Sequence, residues 1–451
     1  MTSAARDDGR GFALGEADLS SFDRQYRARC RVQRPDRYRL LEALPRDVPR
    51  IARGSGISYV AASFGAGAVS QSLAAFNRIL AFDERDGRLC VEAGARIGDV
   101  QRFALSRGWY LAVAPGHPAA TIGGCIAADV HGKNPARDGT FRAVVEHLEL
   151  LTADGTSRVA STAENPDLFA ATFAGFGLTG IVTRAVLRLA RPPASLVVRR
   201  VPVSNLAEGA RALREASNAP VLYGWHDGRA RHFGRGVIRV GLASDAADPR
   251  SFDVPPAAHD LPARIDPLPF ALWNRAGIGL SNTLLGARWR RPGQSPLPLA
   301  AALFPLNDAR TYFAGFGNAG MAEAQWLVPH ARFDDFAGAL AEHVARESPR
   351  IALIASKLFA GEPDGFAFDG VGIALAIQIP APAESRQRAF LEALAGIAIA
   401  HGGRANLIKE STLDGATARR AITGFDAARE RLAAFNPDGL HGSELARRLA
   451  L

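Results

Sequence analysis

Lysine is almost absent from this chain. Of 54 basic residues among 451, only Lys133, Lys357 and Lys409 are lysine, and the rest are arginine. A coding bias toward arginine replaces lysine wherever a generic positive charge suffices, so the lysines that persist carry information. Arginine cannot release its proton near neutral pH, and its planar fork does not fit a compact slot. Lysine serves as a point charge or, when desolvated, as a base. Each of the three sits in a distinctive local sequence, and all three are read as functional.

Cysteine is also scarce. Cys30, Cys90 and Cys125 are odd in number, far apart and without a CxxC pair. That excludes a disulfide framework and zinc-ligand spacing and points to a reducing compartment, the cytoplasm. No metal site is expected. No apolar run reaches the ~18 residues that span a bilayer, and the most apolar helical stretch, residues 389–400, still contains Glu392. The first residues carry Arg6, Asp7, Asp8 and Arg10 and lack the apolar segment of a secretory signal. The net charge is +9 without blocks of like charge. No RNP motif, zinc finger or basic helix accompanies it, so anionic lipid or an anionic substrate is favoured over nucleic acid as the partner.

What is present is an ordinary globular composition, 47% hydrophobic and 22% charged, long enough for two or three domains. The first half alternates strands, glycine turns and helices. Residues 48–52 read as a strand entering the turn Arg53-Gly54-Ser55-Gly56, and residues 89–94 and 145–151 as further strands. Residues 97–107 have helical spacing of Ile97, Val100, Phe103 and Leu105, closed by Gly108. The composition changes at Arg191-Pro192-Pro193, where a domain boundary is placed. Beyond it, residues 237–241, 324–328 and 373–379 read as strands and 333–347 as a helix, which predicts an antiparallel sheet flanked by helices. From about Gly402 the chain returns to short helical pieces.

Glycine clusters mark where a backbone approaches something closely. The turn Arg53-Gly54-Ser55-Gly56-Ile57-Ser58-Tyr59 fails the dinucleotide fingerprint, because the third glycine position is Tyr59. Its successive amides still suit an anion nest for a pyrophosphate, assisted by Arg53; a plain strand-to-helix turn explains it nearly as well. Pro115-Gly116-His117 is followed by the run Thr121-Ile122-Gly123-Gly124-Cys125-Ile126-Ala127-Ala128, and then by Val130-His131-Gly132-Lys133-Asn134. Small side chains at nearly every step imply a large flat group against this backbone. A tightly packed helix against a sheet would also favour Ala and Gly, but does not account for His131, Lys133 and Asn134 closing the run.

The order RGxGxSY, PG(x)4TIGG(x)3AxxHGKN, TADG and GLTGI resembles the flavin domain of the vanillyl-alcohol oxidase superfamily. Within it, the chain is similar to the decaprenylphosphoryl-β-D-ribose 2′-oxidase family, through Trp225-His226-Asp227, Ala324-Gln325-Trp326, Lys357-Leu358-Phe359 and Lys409-Glu410-Ser411, over nearly its whole length. The resemblance implies an α+β fold: a two-subdomain PCMH-type FAD-binding domain over residues 1–193, a substrate domain over 194–401, and a segment, 402–451, returning to the FAD domain. It implies FAD held by residues 53–59, by Pro115, Gly116 and His117, by Thr121, Ile122, Gly123, Gly124, Ala127, Ala128 and Val130, by His131, Gly132 and Asn134, and by Gly180 and Ile181. Superfamily members that bind FAD covalently carry a histidine where this chain has Ile57, so the cofactor is expected to be non-covalent.

All three lysines fall on active-site positions of that family. Lys409 is expected to be the base or the anchor of the substrate hydroxyl, the competing reading being a salt bridge to Glu410 or another neighbour. His131 would orient the ring or relay a proton, and a satisfied histidine at a strand end is the plain alternative. Lys133 and Lys357 are expected to hold a phosphodiester, with polarisation of the flavin's pyrimidine edge as the alternative for one of them; Tyr59 and Gln325 are expected to line the sugar pocket with Trp225, for which a place in the core is the plain alternative. Ala374 replaces a family cysteine, and Ser58-Tyr59-Val60-Ala61 departs from the usual SYGD, which bears on the substrate more than on FAD. Residues 270–291 place Phe270, Leu272, Trp273, Leu284, Leu285 and Trp289 beside Arg290 and Arg291, suiting an interfacial lid against acidic head groups. The expected reaction is oxidation of C2 of a polyprenylphosphoryl-ribofuranose, completed by a separate short-chain reductase, on a protein that can dock peripherally on a membrane. The alternatives are a soluble sugar-alcohol or aldonolactone oxidase and an inactive flavin-binding partner of a reductase.

Overall fold

The computed structural model describes residues 13–245, 266–289, 291–305 and 309–451. Three sheets organise them. β1 (Gly15–Ser20), β2 (Arg27–Gln33), β3 (Arg50–Arg53) and β4 (Val69–Ser72) form a mixed sheet in the order β1-β2-β4-β3. β5 (Ile79–Asp83), β6 (Arg88–Glu92), β7 (Val145–Leu151), β8 (Ser157–Ser161) and β9 (Ile181–Arg188) form an antiparallel sheet in the order β5-β6-β9-β7-β8. The expected strand at 145–151 is β7 itself. The expected helix at 97–107 spans Ile97–Leu105, buries Ile97, Val100, Ala104 and Leu105, and is followed by Gly108 at φ +71°.

The third sheet is antiparallel throughout. It contains β10 (Ser195–Val203), β11 (Val221–His226), β12 (Gly236–Ser244), β13 (Gly293–Leu297), β14 (Met321–Pro329), β15 (Leu353–Ala360), β16 (Val371–Pro380) and β17 (Arg404–Ala405). Their order is β13-β10-β12-β11-β15-β16-β14-β17. The α+β class and the helix-flanked antiparallel sheet thus stand as expected.

Strand alternation divides this sheet into two faces. Ala324, Trp326 and Val328 of β14, Ile354 and Leu358 of β15, and Ile373, Leu375 and Ile377 of β16 pack with Phe333, Phe336 and Leu340 of the His330–Glu347 helix and with Phe390 and Leu394 of the Ser385–Ala400 helix. The pairs Gln325↔Ala376, Glu323↔Gln378 and Leu327↔Ala374 join β14 to β16, Lys357↔Ala374 joins β15 to β16, and Trp225↔Ala355 joins β11 to β15. These residues therefore share the opposite face. Since β14 is buried along almost its whole length, the polar members of that face must find partners inside the protein.

The last fifty residues touch both parts. β17 adds to the edge of the large sheet beside β14. Further on, Arg50 N donates to Leu440 O at 2.8 Å and Leu445 N to Ala61 O at 3.0 Å, tying the tail to the first sheet.

Candidate active site

A cavity of about 250 Å³ runs between the first two sheets. One wall is the glycine turn from Gly54 to Tyr59, and the other is Pro115-Gly116-His117 with Thr121, Gly123, Gly124, Ala127, Ala128 and Val130; Gly180 closes one end. A Cβ at Gly54 would lie 2.2 Å from Thr121 Oγ1, and Gly56 has φ +68°, so this turn needs glycine at both positions. Thr121 caps the Ile122–Ala128 helix, its side chain accepting from Gly124 N. Ser58 Oγ is buried in the cavity wall with no hydrogen-bond partner, which in a folded protein calls for a polar ligand atom. A long groove of small side chains and backbone, with an orphaned hydroxyl, fits a flavin with its diphosphate.

Six residues expected against the cofactor do not line this groove. Ile122 and Ile181 are fully buried in the hydrophobic core behind it. Asn134 donates to Ser217 O at 2.6 Å and Ala219 O at 2.8 Å, so its amide serves a contact with the segment before β11. Arg53 donates to Ser63 Oγ at 2.8 Å, lies over the Phe64 ring, and borders a neighbouring cavity. His131 and Gly132 belong to a polar cluster beside the groove. Phe22 and Phe313, edge to face with centroids 4.9 Å apart, line the groove without any signal in the sequence.

The polar cluster gathers the three lysines. Lys409 lines the groove, stands 3.6 Å above the Tyr59 ring, and pairs with Glu323 at 3.2 Å. Glu410, its neighbour in sequence, turns away and accepts from Gln325 N at 2.9 Å. The second Glu323 oxygen accepts from Gln378 Nε2 at 2.6 Å, and the Gln378 carbonyl accepts from Tyr312 OH. Lys357 donates to Gly132 O at 2.7 Å and meets His131 Nδ1 at 3.1 Å. His131 Nε2 faces Gln325 Nε2 at 3.2 Å, and Gln325 Oε1 accepts from Asn406 at 2.7 Å. Lys133 is 6% exposed and has no ion pair or hydrogen bond from its amine to a described residue. Glu323, Gln378, Tyr312 and Asn406 were not singled out from the sequence. The alternation Ala322-Glu323-Ala324-Gln325, a carboxylate and an amide two apart in an apolar strand, was the available signal for the first.

Burial sets the electrostatics. It pushes the Lys133 amine down to about 7, with the Lys409 charge adding to the effect. Lys357 is driven well below the usual lysine range by burial and then by Lys133 and Lys409, with Glu323 opposing. His131 is held well below its ordinary value by burial and by Lys357, and is neutral. Burial raises the Tyr59 phenol, with Glu323 reinforcing it, and pushes Glu410 up to about 8. His117, in the groove wall, falls to about 4 through burial.

Trp225 and Ala374 stand apart from the groove. Ala374 is 1% exposed and packs with Leu327, Phe359 and Phe368. Trp225 lines a second cavity of about 340 Å³ between the large sheet and the Arg275–Trp289 helix. Tyr312 and Gln378 are on its wall, so the hydrogen-bond chain through Glu323 connects this cavity with Lys409.

A family model described as an FAD binding domain matches residues 39–161. An uncharacterized protein in the mprA 5′ region of Streptomyces coelicolor is 31% identical over 373 residues, covering 77% of this chain and 98% of that protein. The chain belongs to the PCMH-type FAD-binding family. Another relative of this flavoprotein is decaprenylphosphoryl-beta-D-ribose oxidase of Mycolicibacterium smegmatis, 28% identical over 413 residues and 89% of each chain. D-lactate dehydrogenase [cytochrome] 1, mitochondrial, of Saccharomyces cerevisiae is 30% identical over 141 residues, covering 30% of this chain and 24% of that one. The flavoprotein is therefore an FAD-dependent oxidoreductase. No helix among the described residues is long and apolar enough to cross a membrane, and those residues hold no cluster of metal ligands.

Proposed function

We propose that this flavoprotein oxidises a secondary hydroxyl of a sugar, C2 of a polyprenylphosphoryl-β-D-ribofuranose, to the ketone. The observation that carries the reading is Lys409: it lines the flavin groove and is also a member of a buried cluster of amines. Bound FAD supplies the hydride acceptor. The chain's own residues then have two tasks, to hold the hydroxyl oxygen and to take its proton. Lys409, against Tyr59 at the groove wall, holds the oxygen, and the neighbouring amines provide a proton acceptor. The relative from Mycolicibacterium smegmatis, named for a lipid-linked ribose, supports the substrate class.

Where the lipid goes is suggested by the Arg275–Trp289 helix. Leu280 and Leu284, one turn apart, are each 63% exposed, and Phe270 just before the helix is 60% exposed. We read them as a contact with a membrane that delivers the substrate; the Trp289 side chain and Arg290, part of the same expectation, lie outside the described residues. Trp273 is tied inward, donating to Tyr312 O at 2.7 Å. A separate short-chain reductase would complete epimerisation. Ile57, in the groove wall, has no nucleophilic atom, in keeping with FAD that acid precipitation releases.

Anaerobic addition of farnesylphosphoryl-β-D-ribofuranose is the test. Bleaching of the oxidised flavin is expected. A flavin bleached instead by free sugar alcohols or aldonolactones, and not by the lipid sugar, would replace the proposed substrate with the soluble alternative. Leu280→Ser with Leu284→Ser is expected to abolish sedimentation with anionic vesicles; unchanged sedimentation would remove the membrane contact.

A further inference from the structure

The three lysines are not equivalent. One carboxylate, Glu323, faces them, and it is committed. Its two oxygens are taken by Lys409 Nζ at 3.2 Å and by Gln378 Nε2 at 2.6 Å, while its residue is only 5% exposed. Lys409 is therefore held as an ammonium between that carboxylate and the face of the Tyr59 ring, 3.6 Å away. An ammonium can donate to a hydroxyl oxygen but has no lone pair with which to accept its proton. Lys357 is engaged as well, with Gly132 O at 2.7 Å and His131 Nδ1 at 3.1 Å. Lys133 alone of the three is buried without a partner among the described residues.

We propose that the Glu323–Lys409 pair is a fixed cation that orients the substrate oxygen, with Glu323 as its positioning residue, and that the free amine of Lys133 receives the hydroxyl proton. The inference rests on the reading of the site as an alcohol oxidase. The O–H bond would break with its proton passing to Lys133 Nζ, and the C–H bond would break with its electron pair leaving as hydride, for which bound oxidised FAD would supply the acceptor; the C=O bond would form between them. Lys133 ends as an ammonium and returns the proton to solvent after turnover.

The surrounding charges agree with this division. Lys409 and Lys357 interact with Lys133 electrostatically, as does the neutral His131. Glu323 lies beyond Lys409, with the un-ionised Tyr59 and Tyr312 around it, and Glu410 is turned to the Gln325 backbone. Burial with a neighbouring cation brings Lys133 to about 7, the range in which a general base works best at neutral pH.

The small number of lysines makes the test direct. Holoprotein labelled with 13C at the lysine ε carbon gives three signals, assigned with single Lys→Arg variants. The Lys133 signal is expected to titrate near pH 7 without substrate. The rate of anaerobic flavin bleaching by farnesylphosphoryl-ribofuranose should rise with pH and level off through the same midpoint. Lys133→Met should lose this rise and slow bleaching by about 10²–10⁴-fold, the usual contribution of a general base. Glu323→Gln should raise KM while leaving the midpoint in place, a split that a general loss of structure would not produce. A Lys133 signal that stays ammonium to pH 9, or a Lys133→Met rate that keeps the wild-type pH profile, would overturn the assignment. A wild-type flavin that no sugar bleaches would instead bring down the proposed function itself, and the two failures are told apart by the wild-type reaction alone.

Discussion

Burying an amine with no counter-charge is expensive, and the cost can be read as a dependence of stability on pH. Folding lowers the Lys133 value from the ordinary 10.5 to about 7. Each tenfold change in proton affinity is worth about 1.4 kcal/mol, so the buried ammonium costs about 5 kcal/mol. The sign follows from linkage. Between pH 7 and 10.5 the unfolded chain binds a proton at this position that the folded one does not, so stability rises with pH in that window. Below pH 7 both states are protonated and the cost is present in full. Above 10.5 it vanishes. Lys133→Met, close in length and neutral, should therefore raise the melting temperature of the holoprotein at pH 6. With about 2.1 cal/mol/K of unfolding entropy per residue, 5 kcal/mol corresponds to about 5 °C for a chain of this length. The gain should shrink by roughly 1.4 °C for each pH unit above 7. Differential scanning calorimetry with excess FAD at pH 6, 7.5 and 9 would measure it. A variant less stable than wild type at pH 6, or a gain that does not depend on pH, would refute the claim that Lys133 is a buried and unpaired amine.

Glu410 gives the mirror image. Burial raises its carboxyl to about 8, so ionisation is penalised as pH rises from the unfolded value of about 4.5 through 8, and fully above it. Glu410→Gln keeps an oxygen for the Gln325 amide and should raise the melting temperature at pH 8.5 but not at pH 4.5. In the groove, Gly54→Ala would bring a Cβ to 2.2 Å from Thr121 Oγ1. Overpacking of this kind costs about 1–3 kcal/mol, so FAD affinity, followed by flavin fluorescence on titration of the apoprotein, should fall by about ten- to a hundredfold.

Much of this was legible in the sequence, for identifiable reasons. The Val145–Leu151 strand and the Ile97–Leu105 helix follow from local periodicity, which survives because each buries one regular face. The lysines stood out against an arginine background, and the structure collects all three in one cluster. What local pattern could not show was partner choice. Lys409 and Glu410 are adjacent, and a pairing between them was the competing reading, yet consecutive side chains diverge and the carboxylate that reaches Lys409 comes from β14. Asn134 closes the glycine-rich run as a cofactor ligand would, but its amide is consumed by two carbonyls more than eighty residues away. Nor could alternation within β14 tell the site face from the core face, since the strand is buried on both. The register with β15 and β16 decides that, and register is a property of the assembled sheet.

The same register explains how the fold tolerates its cluster of cations. The face of the large sheet that carries Glu323, Gln325 and Lys357 is costly, and the other face offsets it by packing Trp326 with Phe336 and Phe390 of the two covering helices, each 1% exposed or less. Burying one such side chain contributes about 1.5–3 kcal/mol, so two or three of them balance the amine of Lys133. This balance can be tested by disturbing both sides. Phe336→Ala should cost about 3–5 kcal/mol and lower the melting temperature by about 3–5 °C on the same scale. Since Phe336 lies on the far side of the sheet from the site, the two substitutions should act nearly independently. Adding Lys133→Met should then restore the melting temperature almost fully at pH 6. At pH 9 only about 2 kcal/mol of the charge cost remains, and the rescue should be partial. Equal rescue at both pH values would mean that methionine helps by packing alone, and the electrostatic account of the site would fail.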